Sequence, residues 1–180
     1  AIPYADVNRD GVERQRTPTP KEIFVTDRFI GTAHAIRRDV FLELNGYREF
    51  LFHQGEESDF CLRMLDAGYF VRLGDSDRID HFESPKRDTR RMDIYGRRND
   101  ILFAVLNVPF VFLFPQLIGV TLKGLRFGIL IGRPIRMARG LLFGYFSAIR
   151  YGMHRRPVSI KIYRLFRRLR REGVVHLDEL

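Results

Sequence analysis

Three carboxylates stand within four residues in Gly55-Glu56-Glu57-Ser58-Asp59-Phe60, directly ahead of an apolar helical pattern. Carboxylates in the first turn of a helix are stabilised by its dipole, so the group has a purely structural reading. It also has a chemical one. A carboxylate fixed at a helix start, with a like charge beside it that can raise its pKa, is placed to act as a general base. On these residues alone both readings stay open.

A catalytic pair needs rigid elements around it, and the patterning predicts them. Residues 57–67 read as a helix with Phe60, Cys61, Met64 and Leu65 on its apolar face and Gly68 as its stop. Residues 38–45 read as a second helix, with Val40, Phe41 and Leu44 on one side and Gly46 after it. Residues 23–25, 30–35, 69–73 and 78–82 are short strand candidates, and the charged residues 88–100 read as helical. Strands alternating with helices make this an α/β chain. Residues 1–20 are polar and read as loop. Asp6-Val7-Asn8-Arg9-Asp10-Gly11 matches the start of a calcium loop, but Thr17 stands where that loop requires its bidentate Glu, so a turn at Asp10-Gly11 is expected instead.

The pieces also occur in a particular order. Gly31-Thr32-Ala33-His34-Ala35-Ile36-Arg37-Arg38-Asp39-Val40-Phe41 is followed by Asn45-Gly46-Tyr47-Arg48-Glu49 and then by the acidic cluster. Next come Cys61-Leu62-Arg63-Met64-Leu65-Asp66-Ala67-Gly68-Tyr69, Ile79-Asp80-His81-Phe82-Glu83-Ser84, and Tyr95-Gly96-Arg97-Arg98-Asn99. This ordered set resembles the second half of family 2 glycosyltransferases with a GT-A fold, closely from Gly31 to Asn99 and more loosely in the tail.

The resemblance implies a C-terminal half of a Rossmann-like GT-A domain, acting as an inverting transferase on a nucleotide-sugar donor. By this likeness Glu57, the second acid of the pair, takes the proton of the acceptor hydroxyl. Many relatives carry Asp at that position. Glu56 would bind acceptor hydroxyls, Asp59 would line the acceptor side or brace the helix start and Arg63, and Gly31 and Thr32 would form the floor. His81 would help hold a divalent metal, Mg²⁺ or Mn²⁺, on the donor diphosphate, or would be a structural histidine at a strand end. Arg98 and Asn99 would face the donor phosphates or the acceptor, since a diphosphate leaving group gathers negative charge that Arg can bind. Relatives also carry a nucleotide-binding first half that ends in Asp-x-Asp. Asp75-Ser76-Asp77 matches that string but follows the catalytic helix and reads as a solvated turn. The chain is therefore expected to start inside a longer protein and, alone, to lack the main metal ligands and most of the donor site.

Charge divides the chain. Residues 101–171 contain no Asp or Glu, while residues 123–171 hold 14 of the 31 Lys and Arg. The positive block calls for an anionic partner, a membrane surface or nucleic acid. Residues 101–122 are uncharged and long enough to cross a bilayer. A single crossing from the cytosol would carry all 14 cations outside, against the positive-inside tendency. Helices lying in the interface, broken at Pro109, Pro115 and Pro134, avoid that conflict. Residues 157–171 place Ile162, Phe166 and Leu169 on one face, with Lys161, Arg164, Arg167, Arg168 and Arg171 around them. That is either a cationic membrane-surface helix or a helix packed on its own domain.

The expected division is residues 1–100 as the acceptor side of the catalytic domain and 101–180 as a membrane-associated helical extension. The single cysteine, Cys61, and the lack of a signal-peptide pattern suit a cytoplasmic protein at the inner membrane of a bacterium. The expected acceptor is a glycan or a lipid-linked sugar. The competing expectation is a non-enzymatic basic module that binds membrane or nucleic acid. No helix-turn-helix, RNP or zinc pattern accompanies the basic block, so nucleic acid is the weaker choice of partner.

Overall fold

The computed structural model describes residues 22–74 and 88–180. In chain order the elements are β1 (Phe24–Thr26), α1 (Arg38–Glu43), α2 (Glu56–Asp66), β2 (Val71–Arg72), α3 (Thr89–Asn107), α4 (Phe110–Leu130), α5 (Pro134–Tyr151), α6 (Ile160–Glu172) and β3 (Val174–His176). The segments at 1–20, Asp75-Ser76-Asp77, the strand candidate 78–82 and His81 lie outside the described residues.

The α/β expectation holds only coarsely. The described residues are mostly helical, and their one sheet has three short strands in the order β2-β1-β3. Both pairings are antiparallel, with Val25 opposite Arg72 on one side and Val175 on the other. No parallel Rossmann sheet is present among these residues. Parallel neighbours would need a full crossover between strands, whereas β3 comes from the far end of the chain and takes the free edge of β1. Residues 30–35 form a turn closed by an Ile30–Ala33 bridge, with no continuous strand.

The helices around the cluster lie near their expected places. Gly46 and Gly68, read as stops, have φ of 58° and 87° just beyond α1 and α2. The largest core joins distant parts of the chain: Val25 of β1, Leu62 and Leu65 of α2, Phe103 of α3, Tyr163, Phe166 and Leu169 of α6, and Val175 of β3. It thus draws on both sides of residue 100, and α3 runs across that position. Ser159 caps α6 by accepting from the Ile162 amide at 3.2 Å, two residues inside the expected start. The apolar face of α6 is buried in this core, so it serves its own domain.

The apolar run divides between two helices. Residues 101–107 end α3 and are largely buried, and Val108-Pro109 turns the chain into α4. Pro134 opens α5 at its first turn, where a missing amide costs nothing. Pro115 does not break the chain as expected: α4 continues through it. Its ring frees the Val111 carbonyl near the start of the helix, and Val111 is exposed, so water can serve that group.

Helices α3, α4 and α5 pack together through glycines. A methyl at Gly140 would stand 2.7 Å from the Ile94 carbonyl oxygen, and one at Gly144 would stand 2.8 Å from Ile101 Cβ. A methyl at Gly128 would meet Met137 at 2.9 Å. Small residues four apart let helix backbones approach closely, as they do in membrane helix pairs. A methyl at Gly119, in contrast, would have nothing within 4 Å. Gly140→Ala should therefore destabilise the fold by ~1–3 kcal/mol through overpacking, whereas Gly119→Ala should be neutral or stabilise it by up to ~1 kcal/mol. Denaturant unfolding of the two variants checks this, and equal shifts in one direction would contradict the packing described.

Candidate functional site

The loop entering α2 has an unusual backbone. Phe52, Gln54 and Gly55 have φ of 53°, 64° and 91°. Left-handed non-glycine residues cost free energy and persist only where surroundings hold them. Here the holding group is Asn99 of α3. Its amide nitrogen lies within hydrogen-bond reach of three carbonyls, Leu51 at 2.6 Å, His53 at 2.9 Å and Gln54 at 2.6 Å. Its side-chain oxygen accepts from Arg98 Nη1 at 2.8 Å.

Arg98 in turn donates to the Phe50 carbonyl at 2.8 Å and to Ser147 Oγ of α5 at 3.0 Å. Its guanidinium lies over Phe143 at 4.9 Å. Arg98 and Asn99 are both buried, and burial pulls the Arg98 pKa down. Both side chains are turned inward, onto the loop and α5. Where the resemblance implied a phosphate or acceptor contact, these side chains bond to backbone carbonyls, to Ser147 and to each other.

Asp59 is likewise a structural centre. It is fully buried, and its carboxylate accepts from Arg48 Nη1 at 2.6 Å, Arg63 Nε at 3.0 Å and Asn107 Nδ2 at 2.7 Å. It braces Arg63 and has no open side for an acceptor. Arg63 reaches on to the carbonyls of Leu44 and Gly46 at 2.6 and 2.7 Å, tying α2 to the Asn45-Gly46 turn. Asn45 and Gly46 are both left-handed there, and a methyl on Gly46 would strike the Phe41 ring at 2.9 Å. Tyr47 follows the turn and packs its ring against Phe41 and Phe60.

Glu56 and Glu57 are half-buried, and Glu57 lies against the exposed Gly31 of the 30–35 turn. A methyl on Gly31 would stand 2.6 Å from Glu57 Oε1, so the carboxylate occupies the space a side chain would take. The turn itself is fixed by His34. Its ring stacks on Phe29 at 4.2 Å, with Nδ1 3.1 Å from the Ile30 carbonyl and Nε2 3.2 Å from the Tyr47 hydroxyl. Burial first, and then the charge of Glu57, push the Tyr47 hydroxyl up to about 12, so it stays protonated and can donate to Nε2. That bond leaves Nδ1–H to donate to Ile30.

Glu56 has one carboxyl oxygen out of reach of solvent. Its Oε2 is buried without a hydrogen-bond partner. Burial raises its pKa above the ordinary 4.5, its own backbone amide opposes this, and the neighbouring Glu57 charge raises it further. The pair therefore combines one enclosed carboxyl with a second whose Oε1 lies against the exposed Gly31 turn.

Among the described residues no group of three or more His, Cys, Asp or Glu side chains could hold a metal ion. No metal-dependent step is assigned to them. The sequence pattern did not single out Arg48, Asn107, His34 or Tyr47 as contributors. Arg48 and Asn107 lie 59 positions apart and meet only through the fold. No family model matches this chain, and no curated protein or solved structure matches it.

The Glu56 shift carries a stability signature. Because the folded pKa is raised above the unfolded one, ionised Glu56 opposes folding at neutral pH, and the penalty fades as pH falls toward 4.5. Glu56→Gln should be more stable than the parent at pH 7, with the advantage shrinking on acidification. Thermal unfolding between pH 4 and 8 checks this. A variant that is less stable at pH 7, or whose difference ignores pH, would contradict the burial of that carboxyl.

Proposed function

We propose that this chain is the acceptor side of an inverting, family 2-like glycosyltransferase of GT-A type. In this reading it moves a sugar from a nucleotide-sugar donor to a glycan or lipid-linked acceptor at the cytoplasmic face of the membrane. The observation that carries the proposal is the placing of Glu57: second acid of the pair, at the start of α2, with Oε1 against Gly31 on an accessible edge. The ordered motifs from Gly31 to Asn99 support the family likeness.

The chemistry follows from that position. Glu57 accepts the proton of an acceptor hydroxyl lying over the Gly31–Thr32 turn. The freed oxygen attacks the anomeric carbon of the donor sugar. The bond from that carbon to the diphosphate oxygen breaks on the opposite face, and the nucleoside diphosphate leaves with the electron pair, which inverts the centre. Glu56, the first acid of the pair, binds a hydroxyl of the acceptor beside it. Donor binding and any Mg²⁺ or Mn²⁺ need groups beyond the described residues.

A general base contributes ~10²–10⁴ in rate, so Glu57→Gln should lower kcat by that factor in the protein that carries the whole catalytic domain, with little change in acceptor KM. Turnover close to the parent's would overturn the assignment. It would favour instead a non-enzymatic membrane-binding module whose acids only stabilise a helix start, a reading that the exposed apolar residues of α4 and α5 keep in view.

A further inference from the structure

Among the described residues, α4 and α5 present an apolar surface that no other element covers. Phe110, Phe114, Ile118 and Leu122 recur every fourth residue of α4 and are 71%, 64%, 59% and 62% exposed. That spacing aligns them in one stripe. On α5, Phe146 and Ile149 are 70% and 82% exposed. The other sides of both helices are closed by the glycine contacts with α3 and with each other. Patches of this extent are uncommon on soluble monomers and mark interaction surfaces.

Charge selects the occupant. Lys123 and Arg126 of α4 and Arg139 and Arg150 of α5 are exposed, and the whole stretch of 101–171 lacks acids. A second copy seated on this face would bring cations against cations. A bilayer with anionic headgroups supplies both an apolar interior and the opposite charge. Helix α4 is long and apolar enough to cross a membrane. Yet it is packed lengthwise in the bundle, with Lys123 and Arg126 well inside its span, which suits lying along the surface.

The face also continues to the acidic loop. Phe52, two residues before the left-handed Gln54, is 63% exposed. Its ring lies 5.5 Å from Tyr95, and Tyr95 lies 6.1 Å from Phe143 on the open side of α5. We propose that the open face of α4 and α5, extended through Phe143 and Tyr95 to Phe52, seats in one leaflet of an anionic bilayer and holds Glu56 and Glu57 at the lipid–water boundary. There they meet a hydroxyl of a membrane-anchored acceptor. The seating stands on the surface alone, and only the acceptor clause rests on the transferase reading. Helix α6 takes no part, because its apolar face is spent on the core.

Site-directed labelling tests this without donor, acceptor or turnover, so its failure is separate from failure of the transferase reading. Cys61 is buried, and burial pushes its thiol up to about 12, so an introduced surface cysteine is labelled selectively. Phe146→Cys, Phe52→Cys and Arg167→Cys each carry an environment-sensitive fluorophore. They are mixed with phosphatidylglycerol vesicles or phosphatidylcholine vesicles containing a lipid-chain quencher. The expected result is a blue shift and quenching at 146 and 52 with phosphatidylglycerol, none at 167, and at least tenfold weaker binding to phosphatidylcholine. Phe114→Glu with Ile118→Glu, both at exposed positions, should reduce binding at least tenfold with the unfolding midpoint unchanged. Quenching at 167 equal to that at 146, equal binding to both vesicles, or no binding to either overturns the surface. Quenching at 146 but not at 52 overturns the placing of the acidic loop.

Discussion

The structure depends on one buried carboxylate. Asp59 gathers Arg48, Arg63 and Asn107, and those three groups come from the loop before α2, from α2 itself and from the end of α3. Burying charge is expensive unless each partner is satisfied, and removing one partner of such a group typically costs ~3–5 kcal/mol because the others are left unpaired. Arg63 carries the constraint onward to the Asn45-Gly46 turn, and Asn107 carries it to α3. The first turn of α2 is thus pinned from below, with Glu56 and Glu57 half-buried beside it.

A second set of bonds fixes the approach to that turn. Asn99 draws three carbonyls of residues 51–54 onto α3, and Arg98 joins the same loop to Ser147 of α5. The strained backbone at Phe52 and Gln54 is held by side chains that are themselves buried in the helical bundle. Helix α5 and the acidic loop therefore share a support, so the orientation of one sets the orientation of the other. The C-terminal basic block divides into two physical roles. In α6 the arginines surround a face that completes the core, whereas in α4 and α5 they border a face that stays open.

Much of this frame was legible in the residues. Local patterns carried the two helices around the cluster, the glycine stops and the bracing of Arg63 by Asp59, because each depends on neighbours within about one turn. What was hidden depends on contacts between distant positions. The strand β3 is three residues long and exists through its pairing with β1, so no local period announces it. The burial of Arg98 and Asn99 follows from where α5 crosses α3, which their types, common at phosphate sites, could not reveal. Pro115 is tolerated because it lies near the start of α4, where the carbonyl it frees is exposed and the cost of a proline is smaller. The Rossmann-like sheet was implied by the family resemblance, while strand direction is set by long-range pairing.

This frame sets the Glu57 carboxylate against Gly31. Gly31 is exposed and its methyl variant would meet only the end of a flexible side chain, so Gly31→Ala should leave folding almost untouched while displacing the carboxylate. The direct measurement, in the protein that carries the whole catalytic domain, is the unfolding midpoint of Gly31→Ala beside its single-turnover rate of sugar transfer to a membrane-borne acceptor. Displacement of a reacting group by about 1 Å can cost ~10²-fold, so the account predicts an unchanged midpoint and a transfer rate lowered by at least tenfold. A midpoint and a rate both equal to the parent's would contradict it.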